Sequence, residues 1–139
     1  MKGIFKYFIF LTYTLFISSN SSCNSFEKLD ATLLKGYWKI DFVSKNNEVF
    51  KFKEDSFILD YYFLNKNSGW RKKVKPLFNN RFETSIDTTF FKIKNQGNKS
   101  ILFFQTKWHN WEEMIIGIDS VSLILKIKDK MYHYKKIKP

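Results

Sequence analysis

The sequence predicts an all-β chain, an antiparallel up-and-down barrel of about eight to ten strands preceded by a short helix and an export leader. Three observations carry this expectation. From Gly36 onward the chain falls into short runs rich in Phe, Tyr, Ile, Val and Thr, separated by Asn, Asp, Ser and Gly, the composition of strands and their turns. Connectors such as Lys45-Asn46-Asn47, Asn95-Gln96-Gly97-Asn98 and Asp129-Lys130 are of hairpin length, too short for the helical crossovers that parallel strands need. Several runs alternate: Trp38, Ile40 and Phe42 stand against Lys39 and Asp41, and Val121, Leu123, Leu125 and Ile127 against Ser122, Lys126 and Lys128. One face is then buried and the other wet, and closure removes the edges an open sheet would expose.

The first 22 residues read as the leader. Lys2 and Lys6 precede the apolar run Tyr7 to Ile17, then come Ser18-Ser19-Asn20-Ser21-Ser22 and Cys23, the single cysteine of the chain. A charged start, a short apolar stretch and small residues make a segment that is removed on export. This run of 11 residues is too short to span a bilayer, which takes about 20. With Cys23 directly after the small residues, the segment resembles a bacterial lipoprotein signal, although Asn20 stands where such signals usually carry an aliphatic residue. The resemblance implies acylation of Cys23 and a protein tethered to a membrane of the cell envelope, with Asn24 after the cysteine favouring the outer membrane over the inner. Without acylation the protein would be secreted or periplasmic. Residues 1–22 are thus the leader, 23–35 the anchor, linker and short helix, and 36–139 the barrel.

Ser25 is placed to cap that helix, which runs to Lys35 with Phe26, Leu29, Leu33 and Leu34 at roughly helical spacing and Gly36 as the stop. Strands are expected at Gly36 to Ser44, Glu48 to Lys53, Ser56 to Leu64, Trp70 to Leu77, Arg81 to Asp87, Thr89 to Lys94, Ser100 to Lys107, Glu112 to Ile118, Val121 to Lys128 and Met131 to Lys138.

Removal of the leader leaves 117 residues, enough for one domain with one core. The formal charge is +11, or +9 without Lys2 and Lys6, a balance that raises nucleic acid or an anionic surface as partner. Only Arg71 and Arg81 among the 24 basic residues are arginine, whereas base and phosphate recognition lean on the bidentate guanidinium. Lys, Asn, Ile and Phe, whose codons are all AT-rich, are abundant together, so genome composition accounts for much of the charge. Nucleic acid is not expected as a partner.

Leu34-Lys35-Gly36-Tyr37-Trp38-Lys39-Ile40, at the junction of helix and first strand, and the closing stretch Ile118 to Lys126 with Lys130-Met131-Tyr132-His133-Tyr134-Lys135-Lys136-Ile137 resemble small bacterial lipocalin-like lipoproteins. The resemblance implies that Trp38 plugs one end of the barrel, that Lys135 or Lys136 from the last strand lies over it, and that Gly36 lets the chain turn into the strand. In lipocalins the covering residue is commonly arginine, so lysine is a departure.

Little in the chain looks like chemistry. His109 with Glu112 or Glu113, and His133 from the last strand, could be weighed as a zinc or calcium site, but the spacing fits no metal motif and a hairpin turn is the better account of Trp108-His109-Asn110-Trp111-Glu112-Glu113. The adjacent carboxylates Glu54-Asp55 and Glu112-Glu113 would point to opposite faces of a strand and are expected at solvated turns or edges. No hydrolase or phosphate-loop motif is present. The expectation is a protein without catalytic residues, metal or cofactor.

Two functions remain. Phe57, Leu59, Tyr61 and Phe63, Phe90 and Phe91, and Ile101 to Phe104 are apolar at both parities. These rings either line a cup for a small hydrophobic or amphiphilic ligand or fill the interior, and their number favours a filled or nearly filled barrel. A filled barrel would act on an envelope protein partner as an interaction, inhibitor or immunity module, presenting Trp70, Trp108 and Trp111 with Arg71, Lys72, Lys73 and Lys107 as an exposed patch.

Overall fold

A computed structural model describes residues 29–52 and 57–138. The leader, Cys23, Asn24, Ser25 and the Glu54-Asp55 pair lie outside the described residues. Strands form at β1 Gly36–Lys45, β2 Glu48–Lys51, β3 Leu59–Asn65, β4 Ser68–Pro76, β5 Phe82–Thr84, β6 Thr89–Gln96, β7 Lys99–Gln105, β8 Asn110–Ile118, β9 Ser122–Ile127 and β10 Lys130–Ile137. Each is paired antiparallel, and β10 returns to β1 along Tyr37 to Ser44, which closes the sheet on itself.

Ten segments make eight strand positions. One edge of β1 carries β3 along Gly36 to Lys39 and β2 along Phe42 to Lys45. One edge of β4 likewise carries β6 along Ser68 to Arg71 and β5 along Val74 to Pro76. β2 with β3, and β5 with β6, therefore each share one strand position, and the second is interrupted at Ser85-Ile86-Asp87-Thr88, where the Ser85 hydroxyl donates to the Asp87 carbonyl at 3.1 Å and local bonding replaces the ladder. Expected strand Arg81 to Asp87 shrinks to three residues for this reason.

The short helix also differs from expectation. Among the described residues of that segment there is one 3-10 turn, Ala31–Leu34, in place of helix up to Lys35, started by Asp30, whose Oδ1 accepts from the Thr32 amide at 2.9 Å and from the Thr32 hydroxyl at 2.6 Å. Asp30 takes the capping role, and Gly36 at φ +131° ends the turn in a conformation that a side chain would strain.

That turn shuts one end of the barrel. Trp38 on β1 is fully buried and its indole N–H donates to the Leu34 carbonyl at 2.7 Å. Lys136 Nζ lies 4.8 Å from the centre of the Trp38 ring and donates to the Leu33 carbonyl at 2.7 Å, and burial holds its pKa below the usual lysine range. Lys135, one residue earlier and on the outer face, pairs instead with Asp41 at 2.9 Å. A Cβ on Gly36 would stand 3.0 Å from Lys136 Cε, so the glycine also makes room for the covering lysine.

From this closed end the inner face fills with Tyr62, Phe91, Ile93, Leu102, Phe104, Ile115, Leu123, Leu125 and Tyr134 around Leu34 and Trp38. Cross-strand pairs such as Trp111–Phe104 and Phe104–Phe91 keep one parity inside. Gly69, the next in that row, has no space for a side chain: a Cβ there would collide with the Phe63 carbonyl and sit 2.6 Å from the Phe91 ring. The other end, reached by the β1–β2, β4–β5, β7–β8 and β9–β10 connections, is open.

Candidate functional site

At the open end Val43 pairs with both Phe50 and Tyr132, and Tyr132 pairs with the buried Leu125, so all of them face inward. Val43, Phe50 and Tyr132, with Phe52, line a hollow of about 490 Å3 edged by Lys45, Glu48 and Lys130. Small-molecule pockets take roughly 300–1,000 Å3 with mostly apolar walls and a few polar groups. The hollow has that size, with four apolar or aromatic and three charged side chains on or beside β1, β2 and β10. Lys45 is held at the rim by Asp129, 2.8 Å away.

A polar group sits inside the barrel among apolar rings. Arg71 Nη1 donates to Glu113 Oε2 and to Tyr62 Oη, both at 3.0 Å, and the Trp111 indole N–H donates to Glu113 Oε1 at 2.9 Å. Both carboxylate oxygens of the buried Glu113 are thereby engaged. The Arg71 guanidinium also lies 4.5 Å over the Phe104 ring, Phe104 stacks on Trp111 at 4.8 Å, and Trp111 on His109 at 5.6 Å. The result is a column of rings that leads from the interior to the β7–β8 connection. Nearby, Lys73 Nζ donates to Asp60 Oδ2 at 2.9 Å; it is 2.7 Å from Oδ1 as well, but that contact lacks hydrogen-bond direction. The charge pairing is real, and the second oxygen is satisfied only by charge.

Burial pushes the phenols of Tyr62 and Tyr134 well above their ordinary range, with Glu113 and Asp60 adding to the shift and Arg71 opposing it. Both stay neutral in the fold. A buried ion pair is costly to form in isolation, because two charges leave water for a medium of low dielectric. Glu113 is tolerable here because each of its oxygens has a donor.

The three tryptophans expected as one patch are separated. Trp70 points outward and stacks on Phe63 at 5.4 Å, beside Tyr61 and Tyr37 on the outer wall of β3 and β1. Trp108 stands in the β7–β8 connection, 86% exposed, under Lys107. Trp111 is inside. The proposed basic neighbours divide in the same way, since Arg71 is interior and Lys73 is bound to Asp60. Strand parity explains the split: residues 69, 71 and 73 share the inner face of β4 while 70 and 72 share the outer.

Glu112 and Glu113 do point to opposite faces, but Glu113 is buried and bonded rather than solvated at a turn, which corrects the expectation for that pair. His133 lies on the outer wall, stacked on Phe42 at 4.0 Å with Ser44 Oγ 3.1 Å from its Nε2, far in sequence and on the opposite face from Glu113. Among the described residues no three His, Cys, Asp or Glu side chains are grouped to hold a metal ion. Arg71, Tyr62, Asp60 and Glu113 were missed as a group from sequence. Two signals were available: Arg71 is one of two arginines, and Glu113 shares its parity with Trp111 and Ile115.

Eight strand positions closed by β10 on β1, a tryptophan shut in at one end under a lysine, and a hollow at the other end define the architecture. The fold is lipocalin-like. Two solved structures resemble this lipocalin-like barrel. One is a lipocalin-like protein from Bacteroides uniformis ATCC 8492, 14% identical, aligned over 76% of this chain and 99% of that one with a TM-score of 0.47. The other is an uncharacterized protein from Bacteroides eggerthii DSM 20697, 11% identical, aligned over 75% of this chain and 99% of that one with a TM-score of 0.47. Neither a family model nor a curated protein matches the sequence.

Proposed function

We propose that the chain is a non-catalytic binding protein of the bacterial cell envelope, tethered through acylated Cys23, which holds a small hydrophobic or amphiphilic ligand in its open-end hollow. The observation that carries this reading is the apolar cup of Val43, Phe50, Phe52 and Tyr132 with lysines at its rim. Eleven phenylalanines lie from Gly36 onward and could have filled the barrel throughout, yet the rings pack solid only toward the Trp38 end. Apolar walls supply affinity, and Lys130, beside the Lys45–Asp129 pair, would suit an acidic head group at the mouth.

Full-length protein purified from membranes and sprayed intact into a mass spectrometer tests the reading. Wild type should carry a lipid-like adduct, and Val43→Trp, which fills the cup, should lose it while keeping its β-type circular dichroism. Repeated absence of any adduct from wild type, together with one protein partner in pull-downs, would replace the binding protein with the interaction module.

A further inference from the structure

Among the described residues, four of the six large apolar side chains that are more than 60% exposed lie on consecutive elements. Ile86 is 97% exposed, Phe78 94%, Trp108 86% and Phe90 61%. Phe78 is in the β4–β5 connection, Ile86 in the β5–β6 interruption, Phe90 on β6 and Trp108 just after β7. Between them the outer wall of β6 and β7 forms an open groove of about 550 Å3, in which Phe90, Phe103, Lys92 and Lys94 take part. Lys94 Nζ lies 3.9 Å over the Phe103 ring and Lys107 Nζ 4.7 Å over Trp108. The outward positions of β6 and β7 are Phe90, Lys92, Lys94, Gln96, Lys99, Ile101, Phe103 and Gln105, without a single acid. Exposed rings between lysines are the pattern that settles at a lipid interface, where the ring enters the head-group layer and the ammonium stays with the phosphates.

We infer that the outer wall of β6 and β7 lies flat on an anionic lipid bilayer. Two independent arguments select this occupant over a protein groove. The charge of β6 and β7 is of one sign, with Glu112 of β8 the acid beside Phe103, and it complements anionic lipid, each lysine near such a surface contributing to binding. The second argument rests on the Cys23 tether proposed above. Leu29 shares a surface depression with Asn67, Ile93 and Asn95, so the described chain begins beside the closed end of β6. Six residues lead from Cys23 to Leu29, a reach of at most ~20 Å. The ten residues of β1, inclined as barrel strands are, give a height of ~25 Å. A barrel standing mouth-down would overrun its leash, while one lying along β6 or standing on its closed end stays within it, and the charged wall decides between those two. In this posture the mouth opens sideways along the membrane plane.

Bromine-bearing lipids quench tryptophan only at short range, and no tryptophan precedes Trp38, so the leader is silent. Full-length protein is mixed with vesicles of brominated phosphatidylglycerol and phosphatidylcholine. Trp108 emission, taken as the difference between wild type and Trp108→Phe, should be quenched by more than half. In the Trp108→Phe background a reporter placed by Phe90→Trp should be quenched as strongly. One placed by Met131→Trp, on β10 at the opposite side of the ring, should be quenched less than a tenth as much. Quenching of the Phe90→Trp reporter should fall several-fold when Lys92 and Lys94 are both changed to Gln. Equal quenching of the two reporters, or quenching of the Met131→Trp reporter alone, overturns the inference. So does an unquenched wall with sedimentation showing a dimer that Phe90→Ser dissolves, which would make a second copy the occupant. Loss of the lipid adduct in the cup leaves this result untouched, so the two proposals fail separately.

Discussion

The two halves of the barrel are built on opposite principles. Toward the closed end every strand position is paired, Trp38 is roofed by Lys136 and floored by the Ala31–Leu34 turn, and the inner face is solid with rings. Toward the open end two of the eight positions are each shared by two segments, β2 pairs only with β1 and β5 only with β4 among the described residues, and the inner face stops short of filling. The difference teaches where stability and adaptability are kept. A small barrel needs one well-packed layer to exceed its conformational entropy. Beyond that layer it can leave wall and mouth loose enough to admit a guest.

If this division is correct, substitutions should separate by half. Trp38→Ala should lower unfolding free energy by about 3–5 kcal/mol in urea titration, as large buried rings do when truncated. Phe52→Ala, at a half-exposed rim residue, should cost less than about 1 kcal/mol. Comparable losses at both sites would break the comparison.

Arg71→Met should cost about 3–5 kcal/mol, because it strands the buried Glu113 carboxylate. Arg71→Met with Glu113→Leu should recover most of that loss, since a well-packed apolar pair can replace a buried ion pair. The same urea titration reads both. A double variant as weak as the single would mean that the ion pair, rather than its packing, holds the middle of the barrel.

Lys136→Met should cost roughly 0.5–2 kcal/mol through its ring contact, whereas Lys135→Met, which loses a surface pair with Asp41, should cost roughly 0–1 kcal/mol. Alkaline titration sharpens the picture without mutation. Unfolded phenols ionise near their ordinary value of 10.0, while buried Tyr62 and Tyr134 resist well beyond it. Between those points the unfolded chain has already released protons that the fold retains, so stability falls as pH rises above about 10. Tyrosinate absorbance from the two residues should therefore appear together with loss of β-type circular dichroism, not before it.

Much of the architecture was legible because β structure writes itself locally. The alternation of Val121 to Ile127 and the Asn- and Asp-bearing turns placed strands and hairpins without reference to the rest of the chain. Trp38 with Gly36 marked the shut end through the resemblance, and parity could not choose between Lys135 and Lys136 until the β10–β1 register was known. The interior polar group was hidden for a different reason. Arg71, Tyr62 and Glu113 sit on three strands far apart in sequence, and their meeting depends on barrel shear, which no single run encodes. Phe90 and Phe91, apolar at both parities, concealed the outer wall until one ring proved buried and the other exposed. Leu29, Leu33 and Leu34 have helical spacing, yet the described end of that segment forms a 3-10 turn, Ala31–Leu34, rather than α-helix.

Amide hydrogen exchange with and without a dansyl-labelled fatty acid tests the central claim most directly. The account expects Glu48–Lys51 and the Tyr132 region to exchange quickly in the free protein and slow at least tenfold with the probe, while Gly36 to Ile40 is already protected and stays unchanged. Slowing confined to the Trp38 end, or a free protein protected evenly from rim to base, would contradict it.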